Sequence, residues 1–296
     1  MPSSCEPETA SASTQLCNRP SQRPTARGFS PADILNFVQP TGRWQCHENI
    51  AYGVGRRHRL DVYQPETAGG PVVVFFYGGS WQSGSRDLYR FLGGSLAARG
   101  IMAVVPDYTV YPEARFPDFL GDAAQSVRFV HDQAALWGGN AGPLILMGHS
   151  AGAYIAAMLA FDRAWLDAAG LDAHRDVAGM IGLAGPYDFL PIVDPTLQEI
   201  FGGPGRIDTQ PIRHVTGDAA PALLIAPRRD RVVDPCNTSR LAERIRARGG
   251  WVRELHYSRV GHLSLIGAFA PGLRFLAPVL ADVTSFAVEV TGKAAP

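Results

Sequence analysis

The sequence predicts an α/β fold in which a mostly parallel central sheet carries helices on both faces. Three observations point there. Short apolar runs without alternation recur along the chain, as strands covered on both faces require. Segments whose apolar residues step by three or four lie between those runs. The stretches just after several runs are polar and glycine-rich, and strand ends are where such sheets gather functional groups.

The elements follow in order. Residues 1–28 are rich in Ser, Thr, Pro and Ala and poor in large apolar side chains, so a disordered segment is expected there. Residues 29–296 show no internal repeat and no second low-complexity block, and they read as a single domain. Strands are expected at Arg59–Tyr63, Val72–Phe76, Ile101–Val105, Leu144–Met147, Val177–Leu183, Ala222–Ala226 and Val252–Tyr257. Leu120, Ala123, Val127, Val130 and Ala134 mark one helical face. Tyr154, Met158 and Phe161 mark a second, and Leu241 and Ile245 a third, which Gly249-Gly250 is placed to stop. Residues 184–220 read as a long Pro- and Gly-rich connection that partly covers the site.

Bulk properties exclude several classes. Lys+Arg and Asp+Glu both number 27, so the formal charge is zero and no basic block offers itself to nucleic acid. No apolar run approaches the length of a transmembrane helix. Cys5, Cys17, Cys46 and Cys236 form no CxxC pair, so neither a zinc site nor a disulfide framework is expected. The N-terminus lacks a basic start followed by an apolar stretch, and a cytoplasmic protein with reduced thiols is the expectation.

The chemistry-bearing signal is Gly148-His149-Ser150-Ala151-Gly152. It fits G-x-S-x-G between an expected strand and an expected helix. The glycines let strand and helix approach, while the sharp turn exposes the serine in a strained conformation. A serine hydroxyl needs a histidine in reach, and the histidine needs a carboxylate to fix its tautomer. Downstream histidines are His174, His214, His256 and His262. His262 follows the last strand, with Gly261 relaxing the backbone before it, and is the preferred base. His256 lies within a strand, His174 in a solvated stretch, and His214 in a connection. His149, though adjacent to Ser150, reads as structural. Asp230 follows the strand Ala222–Ala226 and is the preferred acid. Asp234 precedes Pro235 and suits a helix start, and Asp188 is a second rival.

Acyl transfer also needs donors for an oxyanion. The backbone N–H of Ala151 is one. The stretch Tyr77-Gly78-Gly79-Ser80-Trp81 after an early strand supplies the N–H groups of Gly79 and Ser80. Trp81 and Tyr77 are expected in the substrate pocket, with core packing the competing role for Trp81.

Together, "YGGSW", "PDYTVYPEARFPDFLGDAA", "GHSAGA", "RRDRVVDP" and "GHLSL" resemble the α/β-hydrolase carboxylesterases. The nearest branch is the bacterial esterases related to hormone-sensitive lipase and kynurenine formamidase. The likeness runs from about Asn49 to about Leu276, in the family's order. It implies the α/β-hydrolase fold and hydrolysis of small-molecule carboxylic esters, without metal or organic cofactor, while the modest pocket expected without a separate large lid domain suits short to medium acyl chains. An arylformamidase or amidase on the same triad is the alternative, and a non-catalytic binding protein on this fold a further one. One departure stands out: Tyr77 replaces the family's histidine, which puts substrate preference in question.

Overall fold

The computed structural model describes residues 35–36 and 42–292. The expectation for residues 1–28 lies outside them. Eight strands form one sheet: β1 (Trp44–Ala51), β2 (Arg59–Pro65), β3 (Val72–Phe76), β4 (Met102–Pro106), β5 (Leu144–His149), β6 (Val177–Leu183), β7 (Ala222–Pro227) and β8 (Val252–Tyr257). Their order is β1-β2-β4-β3-β5-β6-β7-β8. β2 runs antiparallel to both of its neighbours, and every pair from β4 to β8 is parallel. This is the α/β-hydrolase fold.

Every residue of β3, β4, β5, β6 and β7 is buried. Successive side chains on a strand point to opposite faces, so both faces of this central sheet are covered. The covering helices are α1 (Arg90–Ala97), α2 (Asp118–Gln133), α3 (Ala151–Phe161), α4 (Arg163–Ala168), α5 (Ala173–Asp176), α6 (Pro195–Phe201), α7 (Cys236–Ala247), α8 (His262–Gly267) and α9 (Val279–Thr291). All eleven residues of α3 are buried. A helix apolar all round belongs inside a fold, and α3 packs between β5, β6 and α2.

Among the elements outside the expected set, β1, α1 and α9 show why. β1 alternates polar and half-exposed residues, WQCHENIA, and as an edge strand it has no continuous apolar run. α1 contains Gly93-Gly94, a helix-weakening pair. Both glycines are needed for fit: a Cβ at Gly93 would lie 2.3 Å from the Tyr63 ring, and one at Gly94 2.7 Å from Trp44. α9 is rich in β-branched residues, and burial of Val279, Leu280, Val283, Phe286 and Ala287 overrides that weak local preference. The 184–220 connection is structured, carrying α6 and two short 3₁₀ turns.

The parallel register matters most for function. Phe76 pairs with Gly148, Leu183 with Ile225, and Ala226 with His256. The carboxyl ends of β3, β5, β7 and β8 therefore open along one edge.

Candidate active site

Ser150 sits on the turn between β5 and α3 with φ 55° and ψ −123°. A non-glycine residue held there is strained, and the surroundings must enforce it. Gly148 and Gly152 allow the close approach. A Cβ on Gly148 would fall 2.1 Å from the Gly152 carbonyl oxygen, and one on Gly152 2.0 Å from that of Phe76. The Ser150 amide donates to the Leu183 carbonyl of β6 at 2.9 Å, which ties the turn to the sheet.

His262 opens α8, directly after the β8 turn. Its Nδ1 meets Asp230 Oδ2 at 2.7 Å, and the Asp230 side chain is fully buried. The other oxygen, Oδ1, accepts from the Val232 and Val233 amides at 2.8 and 3.1 Å. An ionised carboxylate can only accept, so the proton sits on Nδ1 and the Nε2 lone pair is left free. Gly261 precedes His262 with φ −108° and open space where a Cβ would go. That is an ordinary extended conformation, so the expected backbone relaxation by glycine is not what seats His262. The Ser264 hydroxyl, which accepts from the Gly261 amide at 2.8 Å, caps the helix instead.

The rivals are occupied elsewhere. Asp188 is paired with Arg240 at 2.8 Å. Asp234 accepts from the Cys236 amide at 3.0 Å at the start of α7, which holds its carboxyl below the usual range. His174 pairs with Asp218, His214 with Asp162, and His256 with Glu254.

His149, next to Ser150 in the chain, is buried against the base. Its Nε2 donates to the His262 carbonyl oxygen at 3.1 Å, and the two rings lie 4.7 Å apart. Burial, and secondarily the neighbouring His262, pushes the His149 pKa down to about 3, so the ring stays neutral. A Cβ on Gly78 would lie 2.9 Å from Ser150 Cβ and 3.2 Å from His149 Nδ1. Gly78 must therefore be glycine for the loop after β3 to reach the serine.

That loop is unusual. Gly79, Ser80 and Trp81 all have positive φ, at 134°, 53° and 57°. The Gly79 carbonyl accepts the amides of Gln82 and Ser83 and closes the turn. The Gly78 amide lies against the Tyr89 hydroxyl, where it offsets part of the burial that raises that phenol to about 12. The amides of Gly79, Ser80 and Ala151 meet no acceptor among the described residues. Ser80 and Ala151 line the same cleft as Ser150.

The cleft holds about 380 Å³. Trp81, Phe189, Leu190 and Leu197 form apolar walls, and Asp188, Asp234 and Arg240 add charge. Behind Trp81 lie Phe201, with ring centroids 4.8 Å apart, and Tyr154, at 5.2 Å. This aromatic cluster closes that end.

Tyr77 is the correction. It was expected in the substrate pocket, but it is fully buried and does not line the cleft. Its hydroxyl donates to Asp107 Oδ1 at 2.8 Å and accepts from Arg57 Nη2 at 2.9 Å. Arg57 also donates to the Gly84 carbonyl, at 2.6 Å, on the far side of the loop. Arg86 joins Asp107 to Asp61, whose carboxyl burial raises against the pull of the Asn49 amide and Arg86. No motif in the sequence marks Arg57 or Arg86, and Asp107, which stands in the "PDYTVYPEARFPDFLGDAA" stretch, carries no sign there of these partners. Their partners are 20 or more residues away, and only the sheet order brings them together.

Among the described residues no group of three or more His, Cys, Asp or Glu is arranged to hold a metal ion, and no helix is long and apolar enough to cross a membrane.

Comparisons with known proteins agree on the fold. The family model described as BD-FAE matches residues 60–245. The isoprenylcysteine alpha-carbonyl methylesterase ICME of Arabidopsis thaliana is 36% identical over 155 residues, covering 51% of this chain and 36% of that protein. Kynurenine formamidase of Salmo salar is 31% identical over 153 residues, covering 51% of this chain and 49% of its own length. The chain thus spans between about a third and a half of these curated relatives. The butyrate-bound esterase Est2 of Thermogutta terrifontis superposes with a TM-score of 0.68 at 23% identity, over 84% of this chain and 95% of that one.

Proposed function

Since the chain belongs to the BD-FAE family, an esterase branch of the α/β-hydrolases, we propose that it is a serine hydrolase of carboxylic esters. Ser150 is the nucleophile, His262 the base and then the acid, and Asp230 the residue that orients His262. The observation that carries this reading is the 2.7 Å contact between His262 and a buried Asp230 after β8 and β7, with Ser150 strained to φ 55° on the turn after β5.

The mechanism has two steps. Ser150 Oγ attacks the ester carbonyl while His262 Nε2 takes its proton. Asp230 stabilises the imidazolium without being protonated. The negative charge on the former carbonyl oxygen meets the unpaired amides of Gly79, Ser80 and Ala151. Because those donors are fixed in advance, they need no reorganisation, and one such donor is worth about 3–4 kcal/mol of barrier. His262 then gives its proton to the leaving alcohol. Water, activated by the same nitrogen, releases the acid.

A cleft of about 380 Å³ closed by aromatic rings favours short to medium acyl chains. The Thermogutta fold neighbour holds butyrate, so p-nitrophenyl butyrate is the first probe. Ser150→Ala should reduce its hydrolysis to background. Wild-type turnover by that variant would overturn the assignment.

A second reading is supported by the kynurenine formamidase relative: the same groups would cleave an N-formyl amide. The ratio of kcat/KM for N-formylkynurenine and for butyrate esters separates the two.

A further inference from the structure

Beside His262, and next to the cleft at Val232, runs a second, open groove of about 420 Å³. Arg229, Arg231, Val232, His262 and Leu263 line it. Val232 lines the cleft as well, so the two cavities meet at that side chain. Their charge is different. In the cleft Arg240 is already paired with Asp188. In the groove neither Arg229 nor Arg231 has a carboxylate partner among the described residues, and no acidic residue lines it. The acid between them, Asp230, is buried and engaged with His262.

The backbone places these arginines. Asp230 must turn inward to hold His262, which leaves Arg229 and Arg231 exposed on either side of it. The loop is stiff, because Asp230 accepts the Val232 and Val233 amides and the Arg228 amide donates to the Tyr257 carbonyl at 2.7 Å. Val232 and Leu263 are large apolar side chains left 65% and 75% exposed beside them.

The reaction assigns a role to this side. His262 must protonate the leaving oxygen, so the leaving group lies next to His262 while the acyl chain occupies the cleft. We propose that the groove is the leaving-group subsite, and that it selects esters whose alcohol half joins an apolar body to an anionic substituent such as a carboxylate. Val232 and Leu263 take the apolar body, and Arg229 and Arg231 take the anion. This rests on the esterase reading above.

The test uses two chromogenic esters with the same acyl chain: p-nitrophenyl butyrate, which is neutral, and 4-nitro-3-(butanoyloxy)benzoate, which carries a carboxylate on the leaving group. The double variant Arg229→Gln/Arg231→Gln should lose roughly three- to tenfold in kcat/KM on the charged ester, the scale of two exposed charge contacts, and keep its rate on the neutral one. Arg229→Glu/Arg231→Glu should lose more. The wild-type preference should also weaken as salt rises, since exposed charges are screened over about 10 Å at 0.1 M. An equal loss on both esters, or no loss on the charged one, would overturn the subsite. A wild-type enzyme that turns over neither ester would overturn the esterase reading itself, and the subsite with it.

Discussion

The two sides of the site are held in different ways. On the oxyanion side, the loop after β3 rests on long-range buried contacts: Tyr77 with Asp107, Arg57 with Gly84, and Arg86 with Asp61 and Asp107. On the acid–base side, Asp230 is held by amides two and three residues away, and His262 by Asp230. A local scaffold can lose one chemical group and keep its shape. A buried network cannot, because removing one member leaves its partners unpaired away from water. Substitutions on the first side should therefore cost mainly stability, and on the second mainly rate.

Asp230→Asn should show the largest and cleanest loss. An amide in place of the carboxylate favours the wrong His262 tautomer, and kcat should fall by about three to four orders of magnitude with thermal stability little changed. Steady-state kinetics beside a melting curve checks both. A large fall in Tm with only a small loss of rate would invert the comparison.

Tyr77→Phe removes the hydroxyl that joins Arg57 to Asp107. Unfolding stability should drop by about 1–3 kcal/mol, measured by urea denaturation. Tyr77→His should behave alike and leave the ranking of acyl chains unchanged, because Tyr77 does not line the cleft. A shifted substrate profile at full stability would return Tyr77 to the pocket.

His149 lies between the two sides and sharpens the contrast. In the folded protein it is protonated only near pH 3, against 6.5 for a free imidazole. The unfolded chain therefore takes up the proton first, and stability falls as pH drops through that window. His149→Gln keeps an N–H for the His262 carbonyl but cannot titrate. Its stability should decline less steeply between pH 6.5 and pH 3, and it should keep more activity than His149→Leu, which loses the donor. Equal activity of the two variants would remove any positioning role.

The smallest effect belongs to Asp234→Asn. This side chain caps α7, and asparagine caps nearly as well. Activity should stay within about twofold and stability within about 1 kcal/mol. A loss matching that of Asp230→Asn would make Asp234 the orienting acid.

These two sides also differed in how readable they were. Ser150 and Asp230 each follow a strand whose apolar run is evident, His262 follows the more polar strand β8, and the types and order of the three carry meaning without coordinates. β3 and the double glycine could be read in the same way. What holds the loop could not. Arg57 belongs to a segment without pattern, the stretch that carries Asp107 says nothing of its partners, and Tyr77 joins them only because β2, β4 and β3 are neighbours in the sheet. Tyr77 sits where the family carries a histidine that supports the loop, and of the two roles open to it, loop support and pocket wall, burial assigns it the first. β1 was missed for a related reason: an edge strand with one exposed face has no apolar run to find.

The central claim is that Ser150 is the reactive group. Wild-type protein treated with a fluorophosphonate and mapped by peptide mass spectrometry should carry one adduct, on Ser150. Folded Ser150→Ala should carry none. An adduct on Ser80 or another serine, or undiminished labelling of Ser150→Ala, would contradict the account.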